Sequence, residues 1–297
     1  MGDKLAKIKW QLQHGMRPTK RHLKFFFNKK HQSLPEEVKE EEKVEEEKEL
    51  AAEVIVEQVY QRIHCPELKY FFKEGIGTKT NYTFGEVLPE GVDKLLQPDY
   101  LDASTATNLY ELGLGFGRFA LQAMLQWPNL KSVIGTELHP VRARSCFSAL
   151  QRFALMNADH CKIACSVSGH EPTDFKTPGP HSPKDFRIAS VSVRFDATGR
   201  CINFRKQDLF ELLPEATAQA DIIIAAVAFS RATRTAFCEA ICKMKTGARL
   251  LSYECLQDLF RRTRRRRRMP FVQIAPSDTF PTSWNPSGHA FYLYRKI

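Results

Sequence analysis

The chain has no apolar run that could cross a bilayer. Its longest apolar stretches, residues 222–229 among them, fall well short of the ~20 residues a membrane helix needs. The first residues build no apolar signal-peptide core, because Lys4, Lys7 and Lys9 interrupt them, so an intracellular chain is expected. Eight cysteines are present but no C-x-x-C pair. Cys161 and Cys165 fall on a strand-like stretch, Cys238 and Cys242 on a helical one, and these read as small buried thiols. The dinucleotide fingerprint G-x-G-x-x-G is missing, and so is an N-P-P-Y motif. Acids are outnumbered, 34 against 44 Lys+Arg. The net charge of +10 points to an acidic partner such as nucleic acid or chromatin.

Of the 297 residues, 43% are apolar, enough for one large domain or a domain with extensions. The centre of the pattern is residues 108–122. An apolar run ending in Glu111 reads as a buried strand, Gly113, Gly115 and Gly117 follow in alternation, and an amphipathic helix starts near Arg118. Such a turn can pass close under a ligand, and the helix start offers it free N–H groups and partial positive charge. Residues 131–137 read as the next strand, ending in Glu137. An acid about twenty residues beyond a glycine turn suits a ribose diol. The ligand could be a dinucleotide or S-adenosylmethionine. The G-x-G-x-G spacing and Glu111 just before the turn favour the second, whose ammonium and sulfonium are cationic.

Around this centre the chain changes character several times. Residues 1–31 carry nine Lys/Arg and one acid, read either as a solvated basic tail or as an arm for nucleic acid or nuclear import. Residues 36–49 hold nine Glu and three Lys, a solvated helix or a spacer. Residues 1–50 thus form an extension, and the folded domain is expected over 51–297, with a helical part at 51–107. Helical spacing of Val54, Val56, Val59 and Ile63 marks a docking helix. Pro172, Pro178, Gly179, Pro180 and Pro183 mark a flexible insertion, bounded at 166–200, whose second half carries a hairpin signal around residues 196–199. Asp208 follows a strand, where it could hold an adenine amino group with Phe210 against the ring, cap a helix, or do both. Further strand–helix alternation to residue 253 means an α/β domain with a mainly parallel sheet. Residues 261–268 hold seven arginines in eight positions, a loop for nuclear import or for phosphates or an acidic protein surface.

Several stretches together resemble one family, the DOT-one family (disruptor of telomeric silencing), the non-SET histone H3 lysine methyltransferases. Phe84-Gly-Glu-Val-Leu-Pro-Glu is similar to its substrate-side loop, and Glu111-Leu-Gly-Leu-Gly-Phe-Gly to its D-L-G-S-G-V-G turn. Gln122 stands where that family also has a glutamine. Gly135-Thr-Glu137 resembles its ribose strand, Gln207-Asp-Leu-Phe its adenine contact, and Ser283-Trp with Phe291-Tyr-Leu-Tyr the end of its catalytic domain. The resemblance spans about residues 81–297. Ala226 departs from it, standing where the family's N-N-F-A-F segment places an asparagine in the active site.

The resemblance implies a class I S-adenosylmethionine-dependent methyltransferase fold, a mainly parallel seven-stranded sheet with helices on both faces. It implies S-adenosyl-L-methionine as cofactor, nucleosomal histone H3 as substrate and the nucleus as location. Glu111, Gly113, Gly115 and Gly117 would hold the methionine end, with Glu86 and Gln122 on the same side. Glu137 would take the ribose, Asp208 and Phe210 the adenine. Phe229, Trp284 and Tyr294 would wall an acceptor channel, although a tryptophan is more commonly core. A methyltransferase for RNA or another basic protein, and a non-catalytic chromatin-binding module, are the competing expectations.

Overall fold

The computed structural model describes residues 52, 54–60, 86–167, 188–227, 231–262, 269–274, 278–283 and 285–297. All of them belong to the unit Ala52–Ile297. The basic arm, the acidic block, most of the proline-bearing segment, Phe229, Trp284 and residues 263–268 lie outside the described residues.

In chain order the helices are α1 (54–60), α2 (Pro89–Leu96), α3 (Arg118–Gln126), α4 (Pro140–Met156), α5 (Leu209–Gln219), α6 (Arg231–Ile241) and α7 (Leu256–Arg261). The strands are β1 (Asn108–Leu112), β2 (Ser132–Thr136), β3 (Cys161–Val167), β4 (Ile188–Phe195) and β5 (Cys201–Arg205). They continue with β6 (Ile222–Ala225), β7 (Arg249–Ser252), β8 (Phe271–Gln273), β9 (Asp278–Thr282) and β10 (Asn285–Lys296). They form one sheet of order β3-β4-β5-β2-β1-β6-β7-β10-β8, with β9 attached to β10.

The central strands are apolar on both faces because both faces are covered. Leu109, Ile222, Ile224 and Leu251 pack on one side with residues of α1 to α4. Their neighbours Tyr110, Ile223, Ala225 and Leu250 pack on the other side with residues of α5, α6 and α7. The expected helices on both faces are therefore present. β1, β2, β5, β6 and β7 pair in parallel, so their carboxyl ends open onto the same edge of the sheet.

The sheet is wider than the seven strands expected. Within 166–200, read from its prolines as a flexible insertion, β4 pairs antiparallel with both β3 and β5. Val191 and Val193 bring its core-facing side to full burial. The hairpin signal was right, and the hairpin is part of the sheet rather than an appendage. Its turn also braces α3. Arg200 donates from Nε to Leu130 O (2.8 Å) and from Nη2 to Trp127 O (2.9 Å) and Met124 O. A cation on carbonyls at a helix end satisfies orphan acceptors and opposes the negative pole of the helix.

Tyr294 needs correction. On β10 it pairs with Leu250 of β7 and Gln273 of β8. Strand alternation turns its ring under α7, where it is fully buried and its hydroxyl accepts the Leu256 N–H at 3.0 Å. Tyr294 is a core residue and no channel wall. The buried-thiol expectation holds for Cys146, Cys161 and Cys238 and fails for Cys165, which is exposed, while Cys201, Cys242 and Cys255 are half-buried.

Candidate functional site

The glycine turn leaves β1 with Gly113, Gly115 and Gly117 all at positive φ, +89°, +58° and +78°. The Gly113 and Leu114 N–H groups both donate to Thr136 O at the end of β2, at 3.0 and 2.8 Å. A Cβ on Gly113 would stand 2.6 Å from Val227 Cγ1, and one on Gly117 2.7 Å from the buried Phe204 ring. The chain can therefore take this path only with glycine at these positions. Gly135, near the end of β2, is also constrained, because a side chain there would collide with Leu114.

Three acids surround the turn. Glu137, at the tip of β2, is buried. One carboxylate oxygen accepts the Gly115 N–H at 3.0 Å, and the other accepts the His139 N–H at 2.8 Å and Arg142 Nε at 3.2 Å. Arg142 Nη2 lies 3.0 Å from that second oxygen. Glu86 reaches the turn from the segment before α2. Its carboxylate accepts the Phe116 N–H at 3.2 Å and faces Arg118 Nε at 3.3 Å. Burial pushes this carboxyl up, offset in part by Arg118 and the Phe116 N–H, to about 7. The backbone of Glu86 is tied to Ser283 in both directions, at 3.0 and 2.8 Å, which anchors it to the β9–β10 connection.

Glu111 differs from the other two. It is buried on β1, and its Oε2 has no hydrogen-bond partner among the described residues. Burial first and the Glu86 carboxylate second push its carboxyl well above the usual range. The Ala120 N–H pulls it down and Glu137 adds to the rise. A buried acceptor left open is costly, and native structures rarely keep one without a use.

Sequence reasoning missed the groups that hold these acids. Arg142 lies five positions beyond Glu137, on the first turn and a half of α4. Tyr60 of α1 donates its hydroxyl to Phe116 O at 2.7 Å, while the Arg118 guanidinium sits 4.5 Å over its ring. The Phe116 peptide is thus gripped at its N–H by Glu86 and at its carbonyl by Tyr60. Cys146 of α4 donates its thiol to Gly115 O at 2.9 Å. The apolar spacing of residues 54–63 signalled a docking helix, but nothing local marked Tyr60 as its contact to the turn.

Asp208 lies beyond the end of β5, next to β2. It caps α5 by accepting the Phe210 N–H at 2.9 Å, so the helix-cap reading holds. Phe210 is half-buried against the second core cluster. Gln122 needs correction. Its side chain points away from the turn and donates to Pro89 O (3.0 Å) and Asp93 Oδ1 (2.6 Å), docking α3 on α2. Its place one full turn into α3 puts it on the inter-helix face. Ala226 is half-buried against the first core cluster. Beyond the end of β7, Tyr253 stacks on His289 at 4.6 Å between ring centroids. Among the described residues no group of His, Cys, Asp and Glu has the arrangement of a metal site.

The inner seven strands run β5-β2-β1-β6-β7-β10-β8, all parallel except β10. This is the class I methyltransferase fold. No protein-family profile matches the chain, and no curated protein matches it. Three solved structures illustrate the likeness. TrmN from Thermus thermophilus is 15% identical with a TM-score of 0.41. The match covers 69% of this chain and 48% of TrmN, so this chain spans about half its length. The O-methyltransferase from Bacillus cereus, solved in complex with SAH, is 11% identical with a TM-score of 0.43, covering 82% and 90%. Trm1 from Pyrococcus horikoshii, solved with S-adenosyl-L-methionine, is 11% identical with a TM-score of 0.36, covering 60% and 38%. These scores are too low to carry a reading of the site, which rests on the chain's own geometry.

Proposed function

We propose that this chain is an S-adenosyl-L-methionine-dependent methyltransferase. The observation that carries the reading is Glu111. It is a buried carboxylate with an open oxygen, at the carboxyl end of the central strand, beside a turn of three left-handed glycines. Ligands of open parallel sheets sit at that edge. The open oxygen suits the donor's ammonium, Glu137 suits its ribose diol, and Asp208 and Phe210 border the place for its adenine. The donor supplies a methyl group on a sulfonium. The chain's residues fix that group in line with an acceptor and exclude water, and alignment alone can supply much of the acceleration. The acceptor nitrogen forms the new bond to carbon as the carbon–sulfur bond breaks, and the nitrogen then loses a proton to solvent. No dedicated base is required if the amine is desolvated enough to arrive neutral.

For the acceptor we favour a lysine of histone H3 presented on the nucleosome, in the nucleus. The motif resemblance supports this, and so does the net charge of +10. The arginines of residues 261–268 would meet DNA phosphates or a histone acidic surface. Titration calorimetry with S-adenosyl-L-methionine tests the cofactor. Saturable binding is expected, lost or weakened at least tenfold in Glu137→Ala, whereas no binding by the native chain overturns the reading. Transfer of radiolabelled methyl to recombinant nucleosomes, free histones or total RNA tests the acceptor. Label on H3 in nucleosomes alone is expected. Label on RNA or on another protein replaces the substrate, and cofactor binding with no transfer points to a binding module.

A further inference from the structure

The N–H groups of the turn from Gly113 to Gly117 are all taken within the chain. Those of Gly113 and Leu114 go to Thr136 O, that of Gly115 to Glu137, that of Phe116 to Glu86 and that of Gly117 to Leu114 O. None of them is left for an anion. A ligand with an α-amino-acid end brings one, a carboxylate beside an ammonium, and a side chain at the turn must meet it. Arg142 is 10% exposed and commits both Nε and Nη2 to Glu137. Arg118, the first residue of α3, is 40% exposed. Glu86 lies 3.3 Å from its Nε, and its guanidinium carbon sits 4.5 Å over the Tyr60 ring. These two contacts hold the guanidinium in place, and no acceptor among the described residues takes its Nη groups. Glu111 reaches the same helix start. Its carboxyl accepts the Ala120 N–H, two positions along α3 from Arg118, while Oε2 stays open.

We propose that Arg118 binds the carboxylate of the donor's amino-acid end, beside the ammonium on Glu111, so that the site requires a ligand carrying both groups. The inference rests on the cofactor reading above and deepens it. A guanidinium fork matches a carboxylate with two parallel N–H···O bonds, which a lone ammonium cannot copy. Glu86 holds the fork through Nε, and the Nη edge is the one left for the ligand. The Tyr60 ring beneath it favours the cation and limits its rotation. A nucleoside that has lost only this carboxylate keeps the adenine, ribose, sulfonium and amine, and leaves Arg118 without its anion. Contacts to the shared parts cancel in the ratio of the two affinities, and what remains reports the carboxylate contact.

The test compares S-adenosyl-L-methionine with its decarboxylated form by titration calorimetry at pH 7. A hydrogen bond to a charged group is worth about tenfold to a hundredfold in affinity, so the native chain is expected to prefer the intact donor about thirtyfold. Arg118→Gln should bring the ratio to within about threefold of one, by weakening the intact donor. Removing Arg118 also unmasks Glu86, whose carboxylate repels an anion, so the decisive variant is Glu86→Gln/Arg118→Gln. The preference stays lost there if Arg118 holds the carboxylate. Its return shows that Arg118 only screens Glu86 and overturns the proposal. A merely structural Arg118 weakens both ligands by one factor and keeps the ratio, which also overturns it. The native ratio needs no variant, so a variant that fails to fold does not block the test. Equal native affinities overturn the proposal and leave the cofactor reading intact. Binding of neither ligand by the native chain removes the reading on which the proposal rests, and the proposal with it.

Discussion

Removing the charge of Glu137 should destabilise the fold. Its carboxylate accepts two backbone N–H groups and two guanidinium N–H groups, and the side chains of Glu137 and Arg142 are 6% and 10% exposed. In Glu137→Gln the size is kept but Arg142 stays buried without its counter-charge. Breaking a buried pair from one side costs about 3–5 kcal/mol, and the slight exposure of Arg142 sets the expectation near the low end, about 3 kcal/mol. In Arg142→Met the carboxylate keeps the Gly115 and His139 N–H groups. Those two N–H groups still hold the charge, so the loss falls in the range of about 1–3 kcal/mol for a buried polar group that loses a partner, about 2 kcal/mol. In the double variant neither charge is buried alone, and the total should fall about 2 kcal/mol short of the sum. Urea unfolding of the native chain and the three variants at pH 7, followed by circular dichroism, measures each cost. Additivity within about 0.5 kcal/mol would refute the reasoning, because it would mean that the two side chains do not act as a pair.

Two further outcomes are expected. Burial alone would raise the Asp221 carboxyl. Lys245 and the Thr107 and Asn108 N–H groups outweigh this and bring it from 3.8 down to about 2. A depressed carboxyl stabilises the fold above its unfolded value, so about 2 kcal/mol should be lost as pH falls from about 4 through 2. Acid-unfolding curves of Asp221→Asn should lack that part of the slope, and an unchanged slope would reject the assignment. Gly117→Ala should cost about 2–4 kcal/mol in urea unfolding, since a left-handed non-glycine residue costs about 1–2 kcal/mol and the added methyl displaces the buried Phe204 ring. A loss under about 1 kcal/mol would show that the turn can relax.

What could be read from the chain in order was what depends on near neighbours. Residues 108–126 announced a strand, a glycine turn and a helix because apolar runs, alternating glycines and helical periodicity are all local signals. Glu111 and Glu137 were placed at strand tips for the same reason, and the carboxyl ends of parallel strands lie together by the topology of the fold. Asp208 could be read as a helix cap from its position before Leu209 and Phe210.

Long-range contacts decided the rest. Gln122 was one turn along a helix whose start carries the site, and only the packing of α3 on α2 shows that it faces Pro89 and Asp93. Tyr294 sat in an aromatic cluster at the end of the chain. A shift of one residue in strand register would have turned it to the other face, and the pairing with Leu250 puts it in the core. Residues 188–195 could be read as one arm of a hairpin, and only their pairing with β3, more than twenty positions away in the chain, makes that hairpin part of the main sheet. Arg142, Arg118 and Tyr60 act on the site from three different elements, with partners up to 56 positions away. A charge or a hydroxyl carries no mark of its partner along the chain. Which acids lie beside an arginine follows from distances of a few ångströms between elements that only the folded sheet brings together.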